Sequence, residues 1–155
     1  MKTRNKLVIW GLLLSFGALV SCDGNRAFEE FHAFPGETWT LTDTVKFELN
    51  KEPNELGETL IGVRFNENYP FSNLYVNFWV NDSSGNVLET KLLNIPLFDS
   101  KSGKPIGKGF GDTFTKFDTL RFPLNEKGRS ITILQYMRKE EVEGIEAIGI
   151  KILKK

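Results

Sequence analysis

Few side chains in this sequence are placed to do chemistry. The stretch "SGKPIGKGFGD" carries glycines at 103, 107, 109 and 111 with Lys104 and Lys108 between them. Backbone N–H groups of such a loop can cradle a phosphate. A phosphate-binding loop, however, needs a longer gap before its Gly-Lys pair, a hydroxyl residue after it and a helix running on. Here Gly107-Lys108 is followed by Gly109 and then by a strand-like pattern. A hairpin connection, with glycine supplying positive φ, is the expected role. The single histidine, His32, has no serine in an elbow motif to serve and no second imidazole to share a metal with, so it is read as a packing or surface residue. The 20 acidic residues always allow some carboxylate pair, but no feature singles one out. No catalytic, cofactor-binding or metal-ligating set emerges.

The one cysteine is different. Lys2, Arg4 and Lys6 form a positive start, and "LVIWGLLLSFGALV" follows from Leu7 to Val20 without a charge. Those 14 residues fall short of the roughly 20 that a helix needs to cross a bilayer, but they suit the apolar core of a signal peptide. The run ends in Leu19-Val20-Ser21-Cys22. This resembles the bacterial lipobox, in which a peptidase cuts before a cysteine whose sulfur carries diacylglycerol. Cys22 is therefore the expected lipidation site. Acyl chains on Cys22 and on the new amino terminus would tether the protein stably, since two chains already hold firmly. Without Lys2, Arg4 and Lys6, 17 Lys and Arg face 20 Asp and Glu, a formal charge of −3. That balance offers nothing to nucleic acid, which demands a basic surface. A lone cysteine also excludes an internal disulfide.

The elements that follow read at period two. "AFEEFHAFPG" is the exception. Phe28, Phe31 and Phe34 are spaced by three, as in a helical turn or an irregular extended piece, and are expected to pin the start of the domain onto its core. Glu29 and Glu30 read as solvated charge. In "WTLTDTVKFEL", Trp39, Leu41, Val45, Phe47 and Leu49 share one face, and Asp43 interrupts it, which predicts a bend or bulge. Ile61, Val63 and Phe65 alternate next. In "NLYVNFWV", Leu74, Val76, Phe78 and Val80 face one way, and Asn73, Tyr75, Asn77 and Trp79 the other. "VLETKLLNIPLF" is a long strand whose Pro96 argues for an edge or a bulge. "TFTKFDTLRFPL" places Leu120, Phe122 and Leu124 together. "RSITILQYM" and "EAIGIKIL" complete the set, with Ile148, Ile150 and Ile152 on one face. Only "RKEEVEG", Arg138 to Gly144, suggests a short helix.

These patterns predict an all-β fold: an antiparallel β-sandwich of about seven or eight strands behind a cleaved lipoprotein signal peptide. The expected organisation is a signal peptide at 1–21, a lipidated tether and lead-in at 22–37, and one sandwich domain at 38–155. Thirteen Phe, three Trp and three Tyr can fill its core.

Behind the lipobox, "FEEFHAFPGETW", "YPFSNLYVNFWV", "GKGFGD" and "QYMRKEEVEGIEAIGIKI" occur in that order. This series resembles the gliding motility lipoprotein GldH family of the Bacteroidetes, across nearly the whole mature chain. The resemblance implies a non-catalytic lipoprotein of the cell envelope, held at the inner or the outer membrane. It implies association with gliding motility and type IX secretion machinery, and partners among other envelope proteins. It transfers Cys22 and no catalytic residue. In "GKGFGD", Phe110 is expected to plug one end of the sandwich; otherwise Phe110 and Lys108 would be presented to a partner. Tyr75 and Trp79, flanked by Asn73 and Asn77, motivate a second reading, a lipid-anchored module that stacks glycans on exposed rings.

Overall fold

The structure is a computed structural model that describes residues 25–49 and 56–155. Cys22 and the segment 1–21 lie outside the described residues.

Eleven strands are present among the described residues: β1 (Arg26–Ala33), β2 (Thr38–Thr40), β3 (Val45–Glu48), β4 (Leu56–Asn66), β5 (Asn73–Asn81), β6 (Val87–Pro96), β7 (Lys108–Phe110), β8 (Thr113–Thr119), β9 (Ser130–Gln135), β10 (Glu141–Glu143) and β11 (Ile145–Lys154). Eight of them have four residues or more, and the other three, β2, β7 and β10, have three each. All pairings are antiparallel. One sheet runs β1-β11-β4-β8-β7, a second runs β3-β9-β5-β6, and β10 pairs with β2 in a small third ribbon.

The two large sheets share one core. Period two puts Ile148, Ile150 and Ile152 of β11, and Ile61, Val63 and Phe65 of β4, fully inside. Leu74, Val76, Phe78 and Val80 of β5 meet them from the other sheet, with Ile131 and Ile133 of β9. Each such side chain contributes about 1.5–3 kcal/mol on leaving water. The alternation read from the sequence therefore holds at these strands.

Asp43 does interrupt its strand: β2 ends at Thr40 and β3 begins at Val45. Its carbonyl accepts the indole N–H of buried Trp39 at 2.8 Å, and its carboxylate accepts the Thr40 N–H at 3.3 Å. The turn carries Leu41 out of the apolar face into solvent, where it is exposed. Arg138 to Gly144 is not helical. It forms a turn and β10, because Val142 is buried opposite Trp39 in the β10–β2 pair. Tertiary pairing outweighs the weak helical preference of a seven-residue charged stretch. Strand β8 stops at Thr119, so Leu120, Phe122 and Leu124 pack on the core from a bent segment rather than a strand.

The lead-in holds β1, a full edge strand on β11. Phe34 is buried and stacks on Trp39 with ring centroids 4.7 Å apart. Phe28 packs against the core from partial burial. Phe31 points to the outer face instead, where it lies in register with Gly149, Gly62 and Phe117 across four strands. Both glycines lack the Cβ that would strike the Phe31 ring at 2.6 Å, so the ring lies flat over them and meets Phe117 edge-on at 5.8 Å. Arg64 covers Phe31 and Lys151 covers Phe117, each cation 5.4 Å from the ring centroid. Glu29 is not simply solvated: it pairs with Arg26 at 2.8 Å and Lys151 at 3.5 Å.

On one side the sandwich opens between β6 and β8 into a cleft of about 490 Å³. Lys116 and Asp118 occupy inward-facing register positions on β8, opposite Val63 and Ile61. The Lys116 ammonium donates to the Pro96 carbonyl at 2.7 Å across the gap. Inward charges of this kind protect sheet edges from pairing with other chains.

Candidate functional site

The sequence nominated two surface features, the Lys108–Phe110 loop and the outward face of β5. They lie on different sheets.

Lys108, Gly109 and Phe110 form β7, the edge of the five-stranded sheet, and pair with Thr115, Phe114 and Thr113. Gly111 and Asp112 close the hairpin. Gly111 has φ 67, which a glycine adopts freely and Phe or Lys would not. Gly109 sits where any Cβ would press on the Thr113 carbonyl. Phe110 does not cap the core: it is 96% exposed. The register explains why. Phe110 faces Thr113, and it is Phe114, paired with Gly109, that turns inward against Phe65 at 5.8 Å.

The hairpin stands at a definite end of the molecule. Lys154 N–H donates to the Asn25 carbonyl, so the chain enters beside the end of β11. That is also the end where β8 finishes. The Gly111–Asp112 tip precedes β8 and lies at the other end, roughly 20 Å away along a seven-residue strand.

The outer face of the four-stranded sheet is a grid. Tyr136 lies across from Tyr75, its N–H donating to the Tyr75 carbonyl at 2.8 Å, and Asn94 flanks Tyr75 on the other side. The next row is Leu134, Asn77 and Leu92. The third is Thr132, Trp79 and Thr90. None of these nine side chains carries a charge at neutral pH, in a chain with 26% charged residues. Leu92 is 55% exposed, Tyr136 45% and Tyr75 36%, whereas Trp79 is half-buried. Tyr75, Leu92 and Tyr136 line a shallow basin of about 460 Å³ with Phe71, Met137 and Arg138. Asn73 donates to the Asn94 side-chain oxygen at 2.7 Å and orients it.

Buried Gln135 supports that basin. Its amide donates to the Lys139 carbonyl and accepts the Met137 N–H, which holds the turn where Arg138 takes φ 57. Tyr69 fixes the opposite lip. Its hydroxyl donates to the Asn73 carbonyl at 2.7 Å, and burial pushes its pKa well above the usual phenol value. Among the described residues no cluster of His, Cys, Asp and Glu could hold a metal, and no helix is long and apolar enough to cross a membrane.

A family model described as GldH lipoprotein matches residues 26–152, from the first strand to the last. The chain belongs to the GldH lipoprotein family. Two relatives bear this out. The gliding motility lipoprotein GldH homolog of Christiangramia forsetii is 30% identical over 149 residues, covering 86% of this chain and 87% of its own. The gliding motility lipoprotein GldH of Flavobacterium johnsoniae is 29% identical over 157 residues, covering 93% and 94%. Among solved structures, dimeric latent PorU from Porphyromonas gingivalis aligns over 84% of this chain and 13% of that one, with TM-score 0.42 and 12% identity. The infectious bursal disease virus VP2 subviral particle aligns over 82% and 30%, with TM-score 0.33 and 12% identity.

Within this GldH-family fold the two nominated features remain separate surfaces. Tyr136 and Leu92 complete one of them, and sequence reading passed both over. The signal for Tyr136 is its place two residues beyond Leu134, but only the β5–β9 register sets it opposite Tyr75.

Proposed function

We propose that this GldH-family chain is a non-catalytic lipoprotein of the cell envelope that serves gliding motility and the type IX secretion machinery by docking other envelope proteins. Acyl chains on Cys22, exposed by removal of residues 1–21, hold it to a membrane. The observation that carries the docking reading is Phe110, an almost fully exposed aromatic on a hairpin at the end opposite the chain's entry. Large apolar side chains held out in water favour a partner, and aromatic anchors dominate interface energies. Only Asp23 and Gly24 lie between Cys22 and Asn25, a reach of about 10 Å, so the tethered end lies near the lipid while the hairpin tip stands away from it. Lys108 follows the same outward face and adds a cation beside the ring.

A photo-crosslinking residue in place of Phe110 tests this in living cells. Discrete adducts with envelope proteins are expected from position 110. They are not expected from Val87, which is exposed on β6 at the tethered end. Absence of adducts at 110, or the same adducts from both positions, would rule out docking through the hairpin.

A further inference from the structure

We infer that the outer face of the four-stranded sheet binds a neutral polysaccharide. The proposal stands apart from the hairpin and from its protein partner.

Three properties of the face select the ligand. The first is charge. Across β5, β6 and β9 none of the nine outward side chains is charged at neutral pH; Arg138 stands at the rim of the Tyr75 basin, and Lys46 and Glu48 of β3 pair with each other at 2.6 Å. A charged ligand would find no counter-ion on the grid, and an uncharged one loses no ionic hydration there. The second is the polar complement. Asn77, Asn94, Thr90 and Thr132 offer amides and hydroxyls, which donate and accept at once and so match sugar hydroxyls. The third is ring spacing. Tyr75 and Trp79 are four residues apart on one strand, about 13 Å, with Tyr136 beside Tyr75. A row of rings at that interval suits an extended polymer better than a small solute. A protein surface seated here would bury these amides and hydroxyls and would have to pair each of them. A glycan brings a hydroxyl to nearly every position.

The half-buried state of Trp79 fits a sheet centre, where the neighbours of a flat face shield the lower part of each ring. Trp39 is fully buried in the core, so quenching of tryptophan fluorescence in the mature chain reports on Trp79.

The test uses the mature acylated chain in detergent with insoluble chitin and cellulose, and with polygalacturonate as an anionic counterpart. Retention on at least one neutral polymer is expected. High salt should leave it unchanged, and acrylamide quenching of Trp79 should fall in the bound state. Tyr75→Ala and Tyr136→Ala should each weaken retention about tenfold, the usual effect of removing an aromatic ring from a binding face, with circular dichroism unchanged because both rings are exposed. Phe110→Ser should bind the polymer as the parent does, which separates this site from the docking hairpin. Failure of both neutral polymers to retain the protein overturns the proposal. So does retention that salt abolishes, retention on polygalacturonate alone, or retention that both alanine variants preserve. Protein adducts from a crosslinker at Tyr136 without any polymer binding would assign the face to a protein instead.

Discussion

At Gly144 the chain turns from β10 into β11 with φ 76, and a Cβ there would collide with the backbone of Tyr69. The neighbour is main chain, which cannot swing aside. Gly144→Ala should therefore lower unfolding free energy by about 2–4 kcal/mol, combining left-handed strain with overpacking, as read by urea denaturation. Phe110 is the opposite case. Its ring touches solvent almost everywhere, so Phe110→Ser should change stability by less than about 0.5 kcal/mol in the same measurement. A large loss of stability would mean that the ring packs inside after all. The sequence shows a bulky residue between glycines in both readings. It does not show which way the residue points, because a three-residue strand has no alternation of its own to fix the face.

At the scale of elements, β1 is held to β11 by its ladder and by charge. Glu29 accepts from Arg26, which is the main reason its pKa lies below the ordinary carboxylate value; burial opposes the shift, and Lys151 adds to it. A carboxyl with a depressed folded pKa contributes stability that is complete above the unfolded value and fades as pH falls through the folded one. Glu29→Gln should therefore cost less than about 1 kcal/mol at neutral pH, and the difference from the parent should vanish once the pH drops well below 4.5. Stability curves at several pH values, repeated at high salt, check both the sign and the window. A deficit that persists in acid would show that packing, not charge, carries the effect. Elements also divide what was legible. Strands β4, β5, β9 and β11 announce themselves through strict alternation. The stretch "RKEEVEG" does not, since its one buried residue, Val142, earns its place only by meeting Trp39 about a hundred residues away.

For the whole molecule, the entry of the chain and the hairpin tip lie at opposite ends of the domain, so the proposed tether at Cys22 would leave the hairpin facing away from the lipid. If Cys22 is the anchor, Cys22→Ser should move the protein from the membrane to the soluble fraction, with the thermal midpoint of the domain unchanged. Membrane fractionation combined with labelled palmitate checks this, and label entering the serine variant would overturn it. Composition and local pattern were enough to determine the all-β class, the break at Asp43, an edge or bulge in β6 at Pro96 and the outward set on β5, and they point to Cys22 as the expected lipidation site. Each follows from nearest-neighbour physics: period two sorts faces, proline withholds a donor, and a cysteine after an apolar run is a local motif. Only the tertiary structure decided that Phe31 lies over Gly149 and Gly62, that Phe110 stands in water, and that Tyr136 comes to rest beside Tyr75. The first and last depend on register between strands far apart in the chain, and Phe110 on the pairing of a three-residue strand with its hairpin partner; a shift of one residue would send each of those side chains to the other face.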